Sequence, residues 1–349
     1  MRILVIRRDN IGDLVCTTPL FAALRARYPE AHIAALVNSY NAPVLKGNPH
    51  LDEVHSYTKL KHRLPGQSRI GILLSRIGMI ARLRRRPFDY IVLAKAGFDR
   101  QGLSLARQLR SRHVVGYGPA PADVRGLTLA IPGPPDPTLH EVEVMQRLGE
   151  ALDVRNADGP LHVHPDAERV ASWRARLAPL IAGGRRLLIG VHFSARQPRH
   201  RWAPERWVEL VRRLSASGEA GVVLLWSPGP ENDPRHPGDD ETAAAIQRQI
   251  RDPGGVLPAA TAELADLIAV LAVCDAFIGA DGGAMHLAAA AGLPTVALFG
   301  NVESNMRRWH PWRVRHELVS PATGDVADIT VEQVVQAWQR LGLRRVRSG

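Results

Sequence analysis

Four residues in one short stretch have the types and spacing for phosphate chemistry: Asp281, Gly282, Gly283 and His286, within FIGADGGAMHLAAAAGLPTVALFG (277–300). The apolar run 276–279 predicts a buried strand, and the small residues 284–291 predict a helix, stopped by Gly292 with Pro294 just beyond. A second apolar run, 295–299, completes a strand–turn–helix–strand unit of a parallel α/β sheet. The first amides of such a helix have no intrahelical partner and carry the positive end of its dipole. The glycines let a ligand approach the backbone closely. A phosphate or diphosphate suits that turn, with His286 donating to a phosphate oxygen. An ordinary βα turn, with Asp281 as N-cap and His286 half-buried on the helix, accounts for the same residues equally well, because the turn is neither G-x-G-x-x-G nor a P-loop.

A second candidate is Asp13. The apolar run 3–6 predicts a first strand, residues 7–12 a polar loop, 13–28 a helix whose start is blurred by Pro19, and 32–37 a second strand. That opening indicates a Rossmann-like domain, with Asp13 on the ligand side of the sheet. A free carboxylate there can serve as a general base. Taken alone, the loop favours a simpler role, an acidic residue that stabilises a helix N-terminus.

The elements that must position these residues fill the chain. Its 349 residues suffice for two domains with complete cores. An apolar fraction of 45% and a charged fraction of 23% are those of a soluble globular protein. Forty-five Lys and Arg against 34 Asp and Glu leave a net charge of +11, which calls for anionic partners: nucleic acid, anionic lipid or phosphorylated glycan. The two cysteines, Cys16 and Cys274, lack metal-ligand spacing, which fits a reducing compartment and excludes a disulfide scaffold. The opening MRILVIRRDN has too short an apolar run for a signal peptide, and no stretch is apolar enough to span a bilayer.

Residues 59–86 carry nine Lys and Arg and no acid, with apolar residues interleaved at helical spacing. Such a helix lies on an anionic membrane surface, or else packs on the core with a solvated charged face. Residues 90–94 and 114–117 predict strands, 120–137 a Pro- and Gly-rich loop and 140–152 an amphipathic helix. After turn-like residues 158–165 and a polar helix at 166–181, the same grammar begins again. Strands at 187–192 and 221–226 alternate with helices at 204–215, 241–251 and 261–273, and a long loop spans 227–240. Two Rossmann-like halves of this kind enclose a cleft suited to a nucleotide donor and an acceptor. A nucleic-acid-binding role rests on charge alone, since aromatic residues are 5% and no nucleic-acid module appears.

Three stretches, in order, resemble glycosyltransferase family 9, the ADP-heptose:lipopolysaccharide heptosyltransferases. RRDNIGDLVCTTP (7–19) looks like the family's N-terminal glycine–aspartate motif. GVHFSARQPRHRWAPERWVEL (190–210) is similar to its histidine-to-tryptophan segment, and CDAFIGADGGAMHLAAAAGLPTVALFG (274–300) to its donor-diphosphate motif. The resemblance covers essentially the whole chain. It implies an α/β GT-B architecture, two Rossmann-like domains facing across a cleft: an acceptor domain at 1–165, a linker helix at 166–185, a donor domain at 186–330, and a C-terminal helix at 331–349 returning towards the N-terminal domain.

The implied reaction is inverting, metal-independent transfer of heptose from ADP-heptose to a lipopolysaccharide inner-core acceptor, with no cofactor. By position, Asp13 matches the base, and Asp281, Gly283 and His286 match the donor motif. The family's threonine after the motif aspartate is Gly282 here, and its lysine two residues before tryptophan is His200, flanked by Arg199 and Arg201. Either arginine then supplies the phosphate cation, Arg199 being preferred, with Ser194 and Glu231 as further donor contacts. Lys61, Arg63, Lys95 and Arg125 are the acceptor-side candidates. The resemblance implies an anionic glycolipid partner, a cytoplasmic protein held peripherally at the inner face of the inner membrane, and no nucleic acid. Another GT-B transferase, or an epimerase acting on a different nucleotide sugar, is the rival enzyme.

Overall fold

The structure, a computed structural model, describes residues 1–343 except 60–67, 121–124, 134, 196, 217, 234–236, 251–252 and 301–302. The chain divides into two units, Met1–His164 and Pro165–Gly349. Each is built on one six-stranded, wholly parallel sheet. Parallel strands are covered by helices on both faces, so they read as unbroken apolar runs such as Ile3–Ile6, Ile33–Val37 and Val222–Leu225, all essentially buried.

In the first unit the order along the chain is β1 (Arg2–Ile6), α1 (Ile11–Val15), α2 (Thr18–Arg27), β2 (His32–Asn38), β3 (Glu53–Tyr57), α3 (Arg69–Arg84), β4 (Tyr90–Leu93), α4 (Arg100–Leu109), β5 (His113–Tyr117), β6 (Leu129–Ile131) and α5 (Glu141–Glu150). The single helix expected over 13–28 is two. Pro19 lies in the first turn of α2, where its missing N–H costs nothing, and the chain breaks before it. The hydroxyl of Thr17 donates to the Asp13 carbonyl at 2.8 Å and that of Thr18 to the Val15 carbonyl at 2.6 Å, satisfying the end of α1.

The second unit runs α6 (Ala167–Ala182), β7 (Leu187–His192), α7 (Pro204–Ala216), β8 (Ala220–Trp226), α8 (Asp240–Gln249), β9 (Val256–Ala260), α9 (Leu264–Leu271), β10 (Ala276–Ala280), α10 (Gly283–Ala290), β11 (Thr295–Leu298), α11 (Glu303–Trp309), β12 (His316–Val319) and α12 (Val331–Leu341). The helix expected as a linker, α6, buries Trp173, Leu177 and Leu180 and pairs Arg169 with Asp266 at the start of α9. The terminal helix, expected to return towards the N-terminal domain, buries Val334, Ala337 and Leu341 in the core of the second unit.

The strand orders are β3-β2-β1-β4-β5-β6 and β12-β11-β10-β7-β8-β9, which are the same order in each unit counted from its own first strand. Both are the doubly wound nucleotide-binding order. The order of strand addition reverses between β1 and β4 in the first sheet, and between β7 and β10 in the second. Crevices open at those switch points, at the carboxyl ends of the strands.

Candidate active site

Asp13 lies at the first switch point. It sits in α1, the helix that follows β1, with its side chain 16% exposed. One carboxylate oxygen accepts from Arg7 Nη2 at 2.6 Å and the other from the Asn10 amide at 2.9 Å. The amide bond adds a capping contact to the electrostatic stabilisation of a helix N-terminus expected from the sequence; the arginine bond has no counterpart in that expectation. The loop before α1 is clamped through its carbonyls. Asn38 Nδ2, Tyr40 Oη and Asn41 Nδ2 donate to the Asp9 carbonyl at 3.0–3.2 Å, and Lys59 Nζ donates to that of Arg8.

Arg7 is 1% exposed. Besides Asp13, it donates to Glu141 Oε1 at 2.7 Å and to the Ala94 carbonyl at 2.6 Å. Burial opposes its charge, but Glu141, Asp13 and Asp9 outweigh that and raise its pKa above the ordinary arginine value. Glu141, also 1% exposed, lies in the first turn of α5. The sequence held one signal for this cluster: a charged residue, Arg7, directly after an apolar strand.

The acceptor-side candidates divide. Lys95 follows β4, half-buried at the same switch point as Asp13. Arg125 precedes β6, and its carbonyl accepts from Arg107 Nε at 2.8 Å. In a parallel sheet that is the amino end of the strands, opposite Asp13, so Arg125 is set apart from the site. Lys61 and Arg63 lie outside the described residues. A cavity of about 400 Å³ instead opens beside Arg8, Tyr57, Lys59, Arg69, Leu73 and Arg76.

The second switch point gathers the other motifs. Ser194 follows β7, and its hydroxyl accepts from the Ser227 amide after β8 at 2.9 Å. Asp281 follows β10. It does not cap α10: the N-cap is Gly282, which has no side chain to bond the first-turn amides, an arrangement suited to an anion. Asp281 instead accepts from Asn305 Nδ2 on α11 at 3.1 Å. Burial raises its pKa, opposed by the Asn305 bond and by the charges of His200 and Arg199. The histidine-to-tryptophan segment and the donor motif therefore meet here. At Gly282 an added Cβ would find open space, its nearest neighbour the Ala280 carbonyl at 4.0 Å. At Gly279 a Cβ would lie 2.7 Å from the Phe277 ring, so glycine is required there.

The two arginines beside His200 have different work. Arg201 is committed to the fold, with Nη1 3.1 Å from Asp239 Oδ1 and Nε donating to the Ala195 carbonyl at 2.9 Å. Arg199 is exposed; its Nε donates to Gln197 Oε1, and its charge bears on Asp281. Trp202 anchors the segment, donating from Nε1 to the Ile329 carbonyl at 2.7 Å and meeting Trp207 edge-on. Glu231 is turned to structure: its Oε1 accepts from the amide of Thr242 at 3.1 Å and from its hydroxyl, at the start of α8. His286 is 2% exposed and packs edge-on against Trp309 of α11. Here the ring joins α10 to α11, where the sequence reading has it donating to a phosphate.

His192 ends β7, buried, and burial pushes its imidazole down to about 4, against hydrogen bonding to the Ser194 backbone. An unfolded histidine titrates near 6.5, so between about pH 6.5 and 4 the unfolded chain binds a proton that the folded one refuses. Stability from this group is therefore lost as pH falls through that window. We expect His192→Leu to flatten the pH dependence of the urea midpoint there; a slope equal to wild type would contradict the assignment. Among the described residues, no group of three or more His, Cys, Asp and Glu is placed to hold a metal ion.

Twin doubly wound sheets, with a glycine-capped helix N-terminus at one switch point and a carboxylate at the other, fit the GT-B fold class. Residues 80–339 match glycosyltransferase family 9 (heptosyltransferase), and the chain belongs to that family. It is a glycosyltransferase. The crystal structure of the glycosyl transferase family 9 from Veillonella parvula superposes with a TM-score of 0.80 at 20% identity, covering 97% of this chain and 96% of that one. An Escherichia coli heptosyltransferase solved with ADP-2-deoxy-2-fluoro heptose gives 0.74 at 16% identity, covering 97% and 99%. In sequence, lipopolysaccharide heptosyltransferase 3 of Escherichia coli is 23% identical over 308 residues, 86% of this chain and 83% of the relative.

Proposed function

We propose that this protein transfers heptose from ADP-heptose to a lipopolysaccharide inner-core acceptor, with inversion and without a metal. The observation that carries the reading is the glycine-capped N-terminus of α10 at the second switch point, with Arg199, His200 and Asp281 around it in a family 9 chain. The α10 amides and the Arg199 guanidinium neutralise the charge that grows on the departing ADP. Asp281 suits the hydroxyls of the donor better than its diphosphate. In the first unit, Asp13 takes the proton from the acceptor hydroxyl, whose oxygen then attacks the anomeric carbon opposite the leaving group. Calorimetry in excess EDTA tests the donor: ADP-heptose should bind and UDP- and GDP-sugars should not. Binding of those sugars in place of ADP-heptose would overturn it.

The acceptor on this reading is an anionic glycolipid at the inner face of the inner membrane, and α3 is suited to that surface. Ile70, Leu73, Leu74 and Ile77 are 71%, 56%, 62% and 54% exposed. Their spacing puts them on one helical face, so this stripe is not the core-facing one. Arg69, Arg76, Arg82 and Arg84 lie on the same helix, followed by Arg85 and Arg86. Each basic residue near an anionic leaflet contributes about 1 kcal/mol, and the apolar stripe adds buried area. Among the described residues no helix is long and apolar enough to cross a membrane. Replacing Arg84, Arg85 and Arg86 by glutamine, or Leu73 and Leu74 by serine, should each weaken sedimentation with anionic vesicles. Binding unchanged in both variants would contradict the proposal.

A further inference from the structure

We propose that Arg7 and Glu141 form a buried clamp whose task is to position the Asp13 carboxylate for proton transfer. The inference rests on Asp13 being the base, and it assigns roles to Arg7, at the edge of the first motif, and to Glu141, outside all three.

The geometry carries it. Nη2 of Arg7 reaches two carboxylates at once, Asp13 Oδ1 at 2.6 Å and Glu141 Oε1 at 2.7 Å. Nη1 reaches the Ala94 carbonyl at 2.6 Å and Met145 Sδ at 3.1 Å. The guanidinium thus ties β1, the chain after β4, and α5 to one oxygen of Asp13, while the Asn10 amide holds the other. An ionised carboxylate has roughly four acceptor positions, so each oxygen keeps one for a substrate hydroxyl. The planar guanidinium holds a carboxylate in direction as well as distance, which a lysine does not.

Burial explains the second acid. Arg7 and Glu141 are both 1% exposed, whereas the Asp13 side chain is 16% exposed. Without Glu141, the buried guanidinium would face only the partly open Asp13 and, at 3.7 Å from Nε, Asp9, whose side chain is 28% exposed, and would lack a buried partner. Glu141 supplies it from the first turn of α5, where the helix dipole favours an acid. The pair fixes the cation, and the cation fixes the base. A group misplaced by about 1 Å costs on the order of 10²-fold in rate.

The test uses the full-length protein, with Arg7→Met/Glu141→Leu as the main variant. Removing both charges together avoids stranding either one, and apolar replacements of similar volume are tolerated at buried pairs. We expect a thermal midpoint close to wild type, KM for donor and acceptor unchanged, and kcat lower by about 10²-fold. Arg7→Lys keeps the charge and loses the fork; it should also lose kcat at constant KM, and it decides the matter if the double variant does not fold. Added to Asp13→Asn, the double replacement should cost nothing further, because a clamp acting only through Asp13 has nothing left to position. Full kcat in the folded double variant or in Arg7→Lys, or an added loss on the Asp13→Asn background, overturns the clamp. Wild-type turnover in Asp13→Asn itself overturns the base assignment instead, so the two failures are distinguishable.

Discussion

Asp13→Asn should lower kcat by roughly 10²–10⁴-fold, the usual contribution of a general base, and leave ADP-heptose affinity unchanged. Asparagine keeps the shape of the side chain and one acceptor oxygen for Arg7, so the α1 region should stay folded. The donor turn lies in the other unit, at the end of β10, and does not include Asp13. Initial rates alongside calorimetric donor binding check this. A rate within tenfold of wild type would remove Asp13 from the chemistry.

Arg199→Ala should have the next largest effect. Removing one preorganised donor to a developing anion costs about 10²–10³-fold in kcat. Arg199 is exposed and among the described residues donates only to the Gln197 side chain, so its loss should leave the unfolding midpoint alone. Arg201→Ala should behave in the opposite way. It strips the cation from Asp239, whose side chain is 4% exposed, and leaving that carboxylate short of a partner costs about 1–3 kcal/mol of stability. Kinetics and thermal melts of the two variants separate a phosphate cation from a structural one. Equal kcat losses in both, or a destabilised Arg199→Ala, would contradict the division.

What the sequence showed depended on burial. The inner strands were legible because both of their faces are covered: Ile3–Ile6, the run within β2, and Ile278 with its neighbours are wholly apolar. The strands not read, β3, β6, β9 and β12, are the four sheet edges. EVHSY, LAI, VLPAA and HELV are short and half-exposed, so they lack that signal, and Pro258 is tolerated in VLPAA because an edge strand has an unpaired side. β6 lies inside the Pro- and Gly-rich stretch 120–137, and α4 and α11 are helices that the sequence pattern does not predict.

At the site, Asp281 was legible as the residue that follows an apolar strand, and Asp13 as an acid at the start of the helix after one. Their partners were not. Arg7 meets Asp13 from 6 residues away, Asn305 meets Asp281 from 24, and Glu141 meets Arg7 from 134, through packing that no local pattern records. The same packing gives Glu231, Arg201 and His286 the structural contacts that spacing could not reveal.

The most direct measurement of the central claim is ADP release by the wild-type protein from ADP-heptose, with a deacylated lipopolysaccharide-core acceptor, in excess EDTA. Release that requires the acceptor and survives the chelator is the predicted result. Absence of ADP-heptose binding, or release that needs an added metal ion, would contradict it.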